Sequence, residues 1–141
     1  MTQVRIARIY ESASSEDGYR MLVDRLWPRG VSKTDAALDE WCKDLAPSQN
    51  LRTWWSHDPE SFDEFTERYR AELDENELLS TIMERLETQP RITLLYAAKD
   101  PAVNHALVLR DYLREHFGGG SSDPGISDPG IQADGNAADG G

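Results

Sequence analysis

The run Ile92-Thr93-Leu94-Leu95-Tyr96-Ala97 constrains this chain more than any other segment. It is largely apolar at odd and even positions alike, so both faces of the strand it forms must be covered, as in the interior of a parallel sheet. Parallel neighbours need crossover connections, usually helices. The class that follows is α/β, with a small, mainly parallel sheet and flanking helices in a single domain. Strands are expected over residues 4–10, 20–24 and 92–97, with 22–24 beside 92–96 and parallel to it. Ligands of such sheets bind at the carboxyl ends of the strands. Both of these strand ends run into polar clusters. Asp24-Arg25-Leu26-Trp27-Pro28-Arg29-Gly30 follows the second strand, and Lys99-Asp100-Pro101 with Asn104-His105 follows the last. If the strands are parallel neighbours, the two clusters form one pocket.

Between these strands the signals are helical. Ser32 to Asp35 has helix-start chemistry, and Leu38, Trp41, Cys42 and Leu45 follow at helical spacing until Pro47. Leu51, Trp54 and Trp55 suit a short helix. Asp58-Pro59 opens the next, with Phe62, Phe65, Tyr69 and Leu73 as its apolar stripe. Asn76 can start another, burying Leu79, Ile82, Met83 and Leu86. Asp100-Pro101 repeats the cap-plus-proline pattern and is expected to open the last helix, which runs to Phe117.

Composition changes sharply at Phe117. Eight of the ten glycines lie beyond it, and the segment repeats Ser-Asp-Pro-Gly-Ile at 122–126 and 127–131. Its large apolar residues are Ile126 and Ile131 alone, too few to offset the entropy of ordering it. The chain is therefore read as an α/β domain over 1–117 and a flexible, disordered tail over 118–141.

Net charge is −11, which opposes non-specific nucleic-acid binding. The charge is uneven: residues 1–33 hold six basic and four acidic side chains, while 34–117 hold nine basic and eighteen acidic. A locally positive face near Arg25 and Arg29 is compatible with that distribution. No apolar stretch approaches the ~20 residues of a membrane span, and no secretory cleavage pattern is visible. A cytoplasmic location is the default. One cysteine, Cys42, forms no internal disulfide, and with three histidines a structural zinc site is not expected. Nucleotide-binding glycine fingerprints and a hydrolase serine elbow are absent, and the cofactor is left unknown.

Within the clusters, Arg25 and Arg29 present planar forks suited to phosphate or carboxylate. Arg29 is the better ligand contact if it points outward, and Arg25 the better internal brace. Trp27 can wall a pocket or stack on a planar ligand, and Gly30 permits a positive φ. Lys99, Asp100 and Asn104 would gather at the strand exit and helix start, where unpaired N–H groups attract anions. His105 is the leading candidate for proton transfer and Asp24 the second. The structural alternative makes Asp100 a plain cap, with Asn104 bonding locally, His105 packed under a loop, and Asp24 and an arginine a structural pair beside a core Trp27. Trp54-Trp55-Ser56-His57-Asp58 could roof a pocket, but a capped helix start with core aromatics explains the same letters and is preferred.

The segments LVDRLWPRG (22–30), LDEWCKDLAPS (38–48), HDP (57–59), RYRAEL (68–73) and TLLYAAKDPAVNHALVL (93–109) together resemble the YeaO-like branch of the domain-of-unknown-function-488 superfamily. The resemblance spans nearly all of 4–117 and implies a compact α/β domain. It carries over no established catalytic residue. Other branches carry a cysteine near Tyr96 or Ala97 and another shortly before the helix histidine, where this chain has Asn104. Thiol chemistry and rhodanese-like sulfur transfer therefore lack their nucleophile here. Two functions stay open: a pocket protein taking a small anionic or nucleotide ligand, with His105 as the proton-transfer group if it is an enzyme, or a non-catalytic binding or stress-related regulatory module. Convergence of His105, Arg29 and Lys99 would favour the first.

Overall fold

A computed structural model describes residues 2–117. The tail expected over 118–141 lies outside the described residues. Four parallel strands form one sheet in the order β1-β4-β2-β3: β1 Gln3–Arg8, β2 Tyr19–Leu22, β3 Glu40–Trp41 and β4 Arg91–Tyr96. The apolar run thus lies inside the sheet, between β1 and β2. Leu94 pairs with Ile6 on one side and Met21 on the other, and Leu95 pairs with Ala7 and Leu22.

The two faces of the sheet are covered differently. Val4, Met21, Ile92 and Leu94 pack under four helices: α2 Gln49–Trp55, α3 Phe62–Glu75, α4 Leu79–Leu86 and α5 His105–His116. Phe65, Tyr69, Leu73, Ile82, Leu86, Leu109 and Leu113 supply the helical side of that core. The opposite face, with Ile9, Leu22 and Leu95, is covered by the one-turn helix α1 Lys33–Ala36 and by Trp27, Val31 and Leu38 from the adjoining loops. Both faces of β4 are buried, so truncating Leu94 or Leu95 to Ala should cost about 2–5 kcal/mol.

Two sequence expectations need correction. The helix expected over 32–46 ends at Ala36, where Ala37 takes a left-handed conformation (φ 49°). The chain then pairs with β2 as β3, followed by a single 3-10 turn over Lys43–Leu45. The helical spacing was coincidental: Leu38 and Trp41 pack on one face of the sheet, and Cys42 and Leu45 on the other. One helix stripe cannot serve both faces. Second, Asp100-Pro101 does not open the last helix. Asp100 Oδ1 accepts from Ala102 N–H (2.8 Å) in a turn, and the cap of α5 is Asn104, four residues later, with the helix beginning at His105.

Glycine is required at position 18, between the first 3-10 turn (Ser15–Asp17) and β2. Its φ is +66°, and a Cβ there would meet the Arg91 carbonyl oxygen at 2.5 Å. Gly30, with φ +75°, has the positive φ that the sequence allowed, in open space.

Candidate functional site

β2 and β4 are parallel, so the clusters that follow them share one end of the sheet. Asp24 sits immediately beyond Val23, whose N–H donates to the Leu95 carbonyl (3.1 Å) and extends the ladder by one bond. Asp24 Oδ2 accepts from Ala97 N–H (3.0 Å), tying the two strand exits together. His105 is the first residue of α5. Asn104 Oδ1 accepts from Leu107 N–H (3.0 Å) and its Nδ2 donates to the Asp100 carbonyl (2.9 Å), so the cap is fully buried and fully occupied.

The His105 ring turns back toward the end of β2. Its Nε2 donates to the Val23 carbonyl (3.0 Å), and Asp24 Oδ1 lies 3.2 Å from the same nitrogen. Both neighbours are acceptors, so the proton resides on Nε2. Asp24 Oδ1 is buried and has no hydrogen bond of its own. Asp24 and His105 thus form a held pair at the floor of a cavity of about 290 Å³, also lined by Arg25, Trp27, Arg52 and His57.

The last two arrive from α2 and the turn after it. Ser48 caps α2, and its N–H and hydroxyl both donate to Glu72 of α3 (2.9 and 2.5 Å). Trp55 stacks on Phe65 with ring centroids 3.9 Å apart, and its Nε1 donates to the Asp58 carbonyl (2.8 Å). These contacts fix α2 against α3 and leave Arg52 facing the cavity. The turn is strained: Ser56 and His57 both have positive φ, 49° and 59°. The His57 ring rests on Trp55 (4.8 Å). Desolvation, helped by the nearby His105 and Arg52, lowers the His57 pKa below its ordinary value, so its ring is neutral at pH 7. A second chamber of about 190 Å³, lined by Gln49 and Thr53, adjoins the first, and both share Pro47, Arg52, His57 and His105.

The sequence candidates separate clearly. Asp24, Arg25, Trp27 and His105 line the cavity. Arg25 is also a brace, since its Nε donates to the Pro47 carbonyl (3.2 Å). Trp27 is anchored by its Nε1 bond to the Val31 carbonyl (2.7 Å) and an edge contact with Trp41. Arg29, Lys99 and Asp100 are exposed and line neither chamber, so they do not converge with His105. Asn104 is consumed by its cap. Arg52 gave no sequence signal, being a lone cation in a short helix. His57 did stand in the segment with two tryptophans, but that segment also makes the helix entry: Asp58 accepts from Glu60 N–H (3.0 Å). Cys42 is buried and its thiol is pushed up to about 11, chiefly by desolvation, which leaves it inert at neutral pH. Among the described residues no group of His, Cys, Asp and Glu is arranged to hold a metal ion, and no helix is long and apolar enough to cross a membrane.

Fold and site together define a small parallel α/β domain with a polar cavity at its strand ends. The chain belongs to the DUF488 family: residues 3–131 match the family described as the inactive DUF488-N3 subclade. It is 46% identical over 111 residues to the uncharacterized protein YeaO of Escherichia coli K12, covering 79% of this chain and 96% of that one. It is 45% identical over 112 residues to the uncharacterized protein Rv3073c of Mycobacterium tuberculosis H37Rv, covering 79% and 94%. No solved structure gives a significant match.

Proposed function

We propose that this protein is a cytoplasmic, non-catalytic module that binds a small anion in the cavity at the ends of β2 and β4. One observation carries the reading. Arg52 is half-buried, faces both chambers, and its guanidinium makes no hydrogen bond or ion pair among the described residues. A partly desolvated guanidinium without a partner is stabilised by any anion that reaches it. Arg25 adds a second positive charge, Asp24 subtracts one, and the lining is net positive in an acidic protein. Support for binding over catalysis comes from His105, whose Nε2 is engaged by the Val23 carbonyl, and from the description of the subclade as inactive.

The test is a calorimetric and NMR titration of the full chain with inorganic phosphate. Saturable shifts at Arg52, His57 and His105 are expected. Arg52→Ala should weaken binding by about 1.5–3 kcal/mol, with thermal stability unchanged. Binding that ignores Arg52, or none at all, overturns the proposal.

A further inference from the structure

The two chambers meet at Arg52, and the position of this cation restricts the chemistry of what it binds. Resting on the anion-binding reading above, we infer that the ligand is a small phosphodiester, with its charge held between Arg52 and His57 and one substituent in each chamber.

A carboxylate or a phosphate monoester ends the molecule that carries it. Its charge belongs at the closed end of a pocket, with one arm leading out. Here the unpartnered guanidinium stands where two chambers join, with Pro47, Arg52, His57 and His105 common to both. An anion at that junction has open space on two sides. Among common biological anions, a phosphodiester carries its charge in the middle with a substituent on either side.

The charge balance points the same way. Among the arginines and carboxylates of the lining, Arg25 and Arg52 against Asp24 leave a single net positive charge. A diester carries one negative charge at neutral pH. A dianionic monoester would bring its second charge toward the Asp24 carboxylate, which lines the larger chamber.

The chambers differ in character. Leu26, Trp27 and Pro28 wall the larger one, with Leu26 65% exposed at its mouth. That wall suits a planar aromatic arm. Gln49 and Thr53 line the smaller one and offer hydrogen bonds to a polar arm. The larger volume, about 290 Å³, is at the low end for a small-molecule site and fits one ring system.

Three probes separate the possibilities in calorimetric titrations of the full chain: inorganic phosphate, phenyl phosphate and 2-hydroxyethyl phenyl phosphate. The diester is expected to bind tighter than phenyl phosphate despite its smaller charge. The double variant Gln49→Ala/Thr53→Val, both exposed positions, should cost the diester roughly two- to tenfold in affinity, the worth of one hydrogen bond, and leave phenyl phosphate unchanged. Leu26→Ala should weaken both aryl probes and not phosphate. If phenyl phosphate binds as tightly as the diester, or the double variant costs both equally, the diester inference is overturned while Arg52-dependent phosphate binding keeps the site. If phosphate binding does not depend on Arg52, both readings fall.

Discussion

Two carboxylates bracket β2, and they live in opposite circumstances. Asp17, just before the strand, is saturated: Oδ2 accepts from Ser14 N–H (2.9 Å) and from Arg20 (2.5 Å), and Oδ1 from Arg5 (3.1 Å). Arg20, equally buried, spends its other donors on the Ala36 and Ala37 carbonyls (2.9 and 3.0 Å). Burial pushes the Asp17 carboxyl up, but Ser14, Arg20 and Arg5 together outweigh it and hold it below its ordinary value. Asp24, just after the strand, has its Oδ1 without a hydrogen bond, 3.2 Å from His105 Nε2, in a lining that also holds the unpartnered Arg52. A buried charge that is fully partnered closes a structure. An incompletely partnered one leaves a place for something else. The contrast separates bracing from binding more sharply than residue type does, since both clusters are Asp with Arg.

The largest expected effect lies at the saturated end. Arg20→Met should cost about 3–5 kcal/mol in urea denaturation, because it strands a buried carboxylate, and it should leave phosphate affinity of the folded protein unchanged. A loss under about 1 kcal/mol would mean that the Asp17 cluster is not structural, and the contrast would dissolve.

At the unsaturated end, His57→Gly should invert the pattern. Glycine relieves the positive φ, so stability should rise by up to about 1 kcal/mol, while phosphate binding weakens. A variant that is destabilised and binds normally would make the strained turn purely architectural.

The pH profile sharpens the same point. The folded-state pKa of His57 lies below its ordinary 6.5, so the unfolded chain takes up its proton first. Its contribution to stability is therefore fully present above about pH 6.5 and is lost as pH falls through the folded value. Phosphate binding should strengthen over the same descent, as the ring gains charge. His57→Gln should flatten both differences; identical profiles in variant and parent would remove His57 from the site.

The smallest effects belong to Arg29→Ala and Lys99→Ala. Both side chains are exposed and outside the chambers, so stability and phosphate affinity should each move by less than about 0.5 kcal/mol. A larger drop in affinity would return the site to the loop tips.

These placements mark how far the letters could be read. His105 and Asp24 were legible because each belongs to a polar cluster that follows an apolar strand, and parallel pairing brings strand ends together. Arg52 was not, and His57 was visible only within an aromatic segment read by preference as a helix entry. Their presence depends on Ser48 gripping Glu72 and on Trp55 stacking against Phe65, contacts between segments that no local pattern links. Asp100-Pro101 misled for a related reason. The dipeptide favours a helix start, but the buried side chain of Asn104 makes the cap that packing selects.

The sequence by itself determined the class of the fold, because a strand apolar on both faces leaves no stable home outside a covered parallel sheet. It also determined the shared strand-end location of Asp24 and His105. Tertiary structure alone decided the rest: that residues 40–41 join the sheet as β3 rather than continue a helix, and which cations meet at the cavity. Periodicity records that a residue is buried, and several structures can satisfy the same record. Which surface buries it is settled when the whole core closes, and Leu38 with Cys42, helical neighbours by spacing, closed onto opposite faces of one sheet.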